Sequence, residues 1–390
     1  MIRWRMLALL FFARTSMAVH FIAVGALLPL LVADLGINYT QGGILIGLFM
    51  LPGIVLALPG GYLGLWIGDR RLTLIGLALM TAGGVVFGLS HGFALAATGR
   101  LLSGMGSAFL NVILYKMAAD WFSGRELSTA TGLVATSWPV GMALALATLG
   151  GLGLRWGWQA AALSVSAVSL LALLAVARWY RSPPSTGAAA QAATSWRAAI
   201  GLGEALLASS AGLVRMFVAV GQSVFIGFAP AFLVARGSGI VQAGFLVSTV
   251  SWVMIASTIL GGLLADRSRR PLAVILAGSA GLAALLLAVP GASALVPLFL
   301  AIGVVGGLPA GPVNALPGAV LRPQSRAIGF GIFFTFTYLG QTFLPALAGW
   351  MLDHTGDPAA SVYFASALNA LALPALLLLV WVRRRVSRFG

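Results

Sequence analysis

Four permanent cations, Arg14, Arg100, Lys116 and Arg215, and one imidazole, His20, interrupt runs of this sequence that are otherwise apolar. An ionised group in a low-dielectric interior is costly unless it is paired or lines water. No acid lies at matching depth. Asp120, Glu126 and Glu204 fall near the ends of apolar runs, and Asp34, Asp69, Asp266, Asp353 and Asp357 fall in the connections. A cationic interior attracts anions and repels cations. The chemistry these residues suit is recognition of an anion, not bond making. Phosphate-loop and His-Glu-x-x-His patterns are absent from the sequence, so no enzyme activity is expected.

Arg14 and Arg215 each sit well inside a long apolar run, roughly 12–15 Å from its start at the helical rise. They could clamp an anion or bond carbonyls at a gate. Gln222 follows Arg215 by seven residues and shares its face. His20, four residues after Ser16, could bind substrate, relay protons or bond a neighbouring helix. Arg100, Gly104, Ser107, Asn111 and Tyr115 share one face of a helix, within about 80° on a helical wheel. Such a stripe should face protein or water, and part of it could be close helix packing. Lys116 lies off the stripe and precedes Asp120 by four residues, which predicts an ordinary i,i+4 ion pair. Asn314 sits in the proline-rich stretch "GGLPAGPVNALPGAV", where freed backbone groups need partners or water. Trp138, next to Pro139, and Tyr338, among Phe334, Phe336 and Gln341, add aromatic surface suited to a substrate or to core packing. The candidate substrate-binding set is therefore Arg14, His20, Asn111, Tyr115, Trp138, Arg215, Gln222, Asn314 and Tyr338.

The elements that must position these groups follow from composition. Only 8% of the 390 residues are charged and 60% are hydrophobic, with a mean hydropathy of +1.02. Soluble domains carry about 25% charged residues. Most of this surface must therefore face lipid. Apolar runs of about 20 residues read as membrane-crossing helices. Twelve are predicted, at 6–33, 41–66, 72–91, 94–121, 128–152, 157–179, 205–235, 241–265, 272–290, 294–319, 327–352 and 359–382. The first is expected to be an uncleaved helix rather than a signal peptide, because Arg14 interrupts its apolar region. The absence of Cys excludes disulfides and thiolate metal sites, and three scattered His argue against a metal centre. No cofactor is expected.

The +15 net charge is topological. With the N-terminus inside, outer connections hold only Arg155 and Arg236, the four cations named first lie within spans, and all other Lys and Arg fall on the inner side. Nucleic acid is excluded as a partner by that placement. Both termini are expected in the cytoplasm. The Pro-, Ser- and Ala-rich stretch 181–200 reads as a linker between an N-terminal bundle, 1–180, and a C-terminal bundle, 201–390. A shift of 201 residues superposes the halves: Arg14 on Arg215, Pro29 on Pro230, Gln41 on Gln242, Gly61 on Gly262 and Arg125 on Arg326. Six spans return the chain to its starting side, so the repeat is parallel.

Twelve spans, a 6+6 repeat and a charged loop after the second span of each half resemble the major facilitator superfamily of secondary transporters. The loop signature, Gly-x-Leu-x-Asp-Arg-x-x-Arg-Arg, appears as Gly262, Leu264, Asp266, Arg267, Arg269 and Arg270, one residue short before the closing pair. Its first-half counterpart has Leu65 where the acid should fall, with Asp69, Arg70 and Arg71 later as possible substitutes. A second family element, Arg-x-x-x-Gly-x-Gly, appears as Arg100, Gly104 and Gly106. The resemblance implies an all-α polytopic fold of two six-helix bundles, alternating access around a central site, and gating roles for Arg100, Gly262, Asp266, Arg267, Arg270 and Arg326. Asp266 is expected to bond a helix end or Arg326 in one conformation only.

Within the superfamily the chain is similar to anion porters of the nitrate, nitrite, cyanate and organic-acid branches. It lacks the nitrate branch's paired Arg and glycine-rich runs. The expected partners are a small anionic substrate, protons as a coupling ion and the lipid bilayer, in a monomer at a bacterial inner membrane. Export of amphipathic drug-like compounds is the alternative transport reading. A non-transporting membrane sensor is the alternative from another class, opposed by the lack of any soluble domain longer than the linker.

Overall fold

Water is absent from a bilayer core, so a crossing segment must satisfy its backbone internally. These apolar runs do so as α-helices. The computed structural model describes residues 2–56, 66–122, 126–183, 200–322 and 325–389. The order is α1 (Ile2–Leu35), α2 (Tyr39–Leu56), α3 (Asp69–Gly88), α4 (Phe93–Trp121), α5 (127–156), α6 (158–179), α7 (Leu202–Ala235), α8 (Ile240–Ser268), α9 (Pro271–Ala288), α10 (Leu295–Gly318), α11 (Arg326–Thr355) and α12 (Ala360–Phe389). No strand occurs among the described residues. The chain is an all-helical, multi-pass membrane protein.

Among the described residues the predicted spans recur, the second as far as Leu56 and with a turn at Phe49 and Met50, and two other places differ. The fifth and sixth form one nearly continuous stretch, Leu127–Trp179, broken only at Gly157, whose φ of 85° suits a residue without Cβ. The tenth is interrupted between Leu295–Gly307 and Ala310–Val320, where Pro309 and Pro312 cannot donate helical hydrogen bonds. Side chains from neighbouring helices serve carbonyls at this break: Ser257 donates to Val304 O and Gln222 donates to Gly306 O.

The chain divides into two compact units. One comprises Met1–Pro184 with Ile226–Trp252 and Thr342–Pro358, the other Ser185–Phe225, Val253–Gln341 and Ala359–Gly390. The first unit thus takes in one end of each of α7, α8 and α11. Its core gathers Leu7, Leu10, Met17, Leu77, Met80, Leu110, Ile113 and Val176. The core of the second gathers Val214, Ile275, Val313, Phe333, Leu376 and Leu379.

Each half ties the start of its first helix to the loop before its fifth, and the two ties have opposite sign. Arg3 of α1 pairs with Glu126 at 2.8 Å. The residue 201 positions later is Glu204 of α7, which accepts from Arg322 Nε at 3.0 Å, Arg322 Nη2 at 3.3 Å, Arg322 N at 3.2 Å and Ser325 Oγ at 2.6 Å. Glu204 is 8% exposed, so its four bonds replace most of its hydration. Glu126 is far more exposed than Glu204, with 39% against 10% of its side chain accessible, so its single pair with Arg3 should contribute little. Glu204→Ala is therefore expected to lower the melting temperature of the purified protein by about 2–4 °C, while Arg3→Ala shifts it by less than half as much in the same fluorescence melt.

Candidate functional site

In the first unit, Arg14 of α1 is buried, and its Nη1 donates to Asn111 Oδ1 of α4 at 3.4 Å. Its guanidinium lies over the rings of Tyr115 at 4.4 Å and Trp138 of α5 at 5.6 Å. Asn111 and Tyr115 are one helical turn apart, which brings both to the same cation. The second unit repeats the device. Arg215 of α7 donates to Asn314 Oδ1 of α10. Its guanidinium lies over Phe334 at 4.7 Å and Phe333 at 5.4 Å. Ring faces attract the cation electrostatically while leaving its donors in the guanidinium plane. Asn314 stands two residues beyond the ungapped counterpart of Asn111, yet it meets the same arginine. The contact, rather than the numbering, makes the two equivalent.

Arg100 belongs to a different arrangement. It is 2% exposed. Its Nε donates to Leu45 O at 2.9 Å, Nη1 to His20 O at 2.6 Å and Nη2 to Phe21 O at 3.3 Å. Phe49 and Phe87 cover the guanidinium at 4.7 and 5.9 Å. One planar fork thus joins α4 to α1 and α2. Four residues on, Gly104 has no room for a Cβ against Phe49 O. The stripe on α4 therefore has two uses: close packing around Arg100 and Gly104, and attachment of Arg14 around Asn111 and Tyr115.

His20 is buried beside Arg100. Its Nε2 meets Ser169 Oγ of α6 at 3.1 Å, and Ser169 Oγ meets Thr81 Oγ1 of α3 at 3.0 Å. A Cβ on Gly84 would approach His20 Cε1 to 2.6 Å. A cavity of about one water's size remains between His20, Gly84, Arg100 and Ser103. Six residues of helix turn His20 about 120° from Arg14, so the two occupy different faces of α1.

Other candidates fall as follows. Lys116 does more than pair with Asp120 at 3.2 Å; it also reaches Asp69 of α3 at 2.5 Å. The i,i+4 expectation was incomplete because α3 and α4 pack closely enough for a second acid to arrive. Gln222 bonds α10 as described above, and Tyr338 is buried on α11. Asp266 is exposed at the end of α8 and has no side-chain hydrogen bond or ion pair among the described residues. Arg267 and Arg270 are exposed around it, and Gly262 lies one turn before it, partly buried. The Arg326 side chain, Arg125, and the first-half loop with Gly61 and Leu65 lie outside the described residues, as does most of the linker.

Two polar sites escaped the sequence. Glu204 has been described. Asp353 of α11 accepts from Tyr39 N at 3.0 Å, Thr40 N at 2.7 Å and Thr40 Oγ1 at 2.6 Å. Each joins residues more than 100 positions apart, and no local pattern marks them.

Helix order, repeat and paired arginines define a polytopic transport fold. A family model described as Major Facilitator Superfamily matches residues 7–212 and again 211–389, and the chain belongs to that family. It is 28% identical over 339 residues to the 3-(3-hydroxy-phenyl)propionate transporter of Escherichia coli, covering 86% of this chain and 82% of that protein. It is 21% identical over 153 residues to the hexuronate transporter of Bacillus subtilis, covering 39% and 36%. Among solved structures, the inward-open xylose transporter XylE of E. coli superposes with a TM-score of 0.78 at 15% identity, over 96% of this chain and 95% of that one. A bacterial homolog of the lysosomal transporter Spinster superposes at 0.75 with 18% identity, over 98% and 97%. The chain is thus a membrane transporter and not an enzyme.

The two classes of buried arginine predict different failures. Arg100→Lys loses the planar fork that serves three carbonyls, and the melting temperature should fall by about 4 °C or more. Arg14→Lys keeps a charge near Asn111 and should melt within about 2 °C of the parent. Thermal melts of the two purified variants in one detergent check the contrast.

Proposed function

We propose that the protein is a secondary active transporter that moves a small organic anion, a carboxylate, by alternating access. The observation that carries this reading is the doubled Arg–Asn–aromatic cluster: Arg14 with Asn111, Tyr115 and Trp138, and Arg215 with Asn314, Phe333 and Phe334. A guanidinium flanked by rings presents donors in one plane, which suits a planar carboxylate. The rings also offer apolar surface for the body of an organic acid. The acids for which contacts are described are engaged near helix ends: Asp69 and Asp120 by Lys116, Glu126 by Arg3, Glu204 by Arg322, Asp34 by Trp158 and Asp353 by α2. That placement favours an anion over a cationic cargo.

The full-length similarity to a carrier of an aromatic propionate supports the same substrate class. The skewed distribution of Lys and Arg supports cytoplasmic termini in a bacterial inner membrane. Proton coupling fits a carboxylate cargo, which can cross together with a proton.

Uptake of radiolabelled 3-phenylpropionate and of glucuronate into proteoliposomes, with and without an inward proton gradient, tests the reading. Accumulation of at least one acid is expected, enhanced by the gradient. Arg14→Ala and Arg215→Ala should each lower uptake about tenfold to a hundredfold, the range for losing a charge-assisted hydrogen bond. Indifference to every carboxylate together with efflux of a lipophilic cation would overturn it.

A further inference from the structure

At the end of the bundle opposite the chain termini, α2 begins with its own capping box. The Asn38 side chain accepts from Gln41 N at 2.8 Å, and the Gln41 side chain accepts from Asn38 N at 3.1 Å. A capping box serves the cap residue and the third helical position and leaves the first two N–H groups over. In α2 those two belong to Tyr39 and Thr40, and Asp353 of α11 accepts from both, as well as from the Thr40 hydroxyl. A carboxylate at this position also meets the positive end of the helix.

Beneath this contact the two helices run antiparallel with their backbones almost touching. A Cβ on Gly349 would strike Tyr39 O, one on Gly43 would strike Pro345 O, and one on Gly47 would strike Thr342 O. Gly43 and Gly47 are one turn apart on α2, the small-residue spacing that lets helices approach closely in a membrane. At the same end α1 meets α7, where a Cβ on Gly25 would come within 2.8 Å of Gly227 Cα.

We infer that Asp353 is a reversible latch: its carboxylate, docked on the N-terminus of α2, holds this end of the transporter closed. The capping box makes the latch separable from the helix. When Asp353 leaves, α2 keeps its cap, and the Tyr39 and Thr40 amides pass to water. The carboxylate is exposed, so water can replace the amides on the other side of the exchange too. A contact that both partners can surrender to solvent stabilises one conformation without trapping it. The glycine seam below supplies the fit, and Asp353 supplies the polar closure above it.

The natural chain contains no cysteine, so spin labels report only chosen positions. Labels at Ala33→Cys and Ala235→Cys, exposed at the ends of α1 and α7, would follow this end in full-length protein in lipid nanodiscs by double electron–electron resonance. Asp353→Ala is expected to raise the ratio of long- to short-distance populations roughly fivefold. Asp353→Asn, which keeps an oxygen acceptor but not the charge, should give a smaller rise in the same direction and provides the reading if the Ala variant does not fold. Helix content by circular dichroism should stay unchanged, because the capping box remains. An unaltered distance distribution in the folded variants would overturn the latch. So would a rise seen only when Gly43→Leu wedges the seam, since the glycines alone would then hold this end.

Discussion

A guanidinium taken out of water must find all its partners within the protein, and much of the first unit is organised around one that does. Arg100 satisfies its donors on backbone carbonyls of α1 and α2 and covers its faces with two phenylalanines. No side chain of opposite sign is needed. Carbonyl dipoles and ring faces distribute the compensation over three helices, so the charge acts as a fastener. Helices that lie in lipid gain little from the hydrophobic effect on associating with one another. A polar tie of this kind supplies what that effect would supply in water.

The same constraint explains the glycines. Arg100 can reach Leu45 O only if α4 lies close to α2, and Gly104 against Phe49 O is where the approach is made. At the start of α2, Gly43 and Gly47 meet the backbone of α11 in the same manner. Close backbones bring carbonyl and amide ends within reach of side chains such as Asp353. Polar contacts and small residues are therefore two parts of one packing scheme.

Arg14 and Arg215 stand apart from that scheme. Each donates to an asparagine and lies against aromatic rings, whereas the described bonds of Arg100 go to backbone carbonyls. The duplication of this arrangement, in a family of secondary transporters, is what the proposed cargo role rests on. The halves also diverge. Tyr115 and Trp138 present polar edges around Arg14, whereas Phe333 and Phe334 around Arg215 do not. The end ties have even exchanged sign, Arg3 with Glu126 against Glu204 with Arg322. A pair of opposite charges does its work in either order, so drift of this kind leaves the tie intact.

Much of this was legible before any coordinates. Missing charge and long apolar runs dictated the helices, because a bilayer admits no other open backbone. The skewed cations supported a topology, and Arg14 over Arg215 in a 201-residue register exposed the repeat. The face shared by Arg100, Asn111 and Tyr115 followed from helical period alone. What the linear chain did not carry was choice of partner. It offered Asp120 to Lys116, and packing of α3 on α4 added Asp69. It left His20 among three roles, and the fold set it against Ser169, 149 positions away. It placed Glu204 near a helix end and Asp353 in a connection, and gave a partner for neither. Periodicity determines which side of a helix a residue occupies, since that depends only on neighbours in sequence. Which helix arrives on that side depends on how twelve of them pack, and only the tertiary structure decides that.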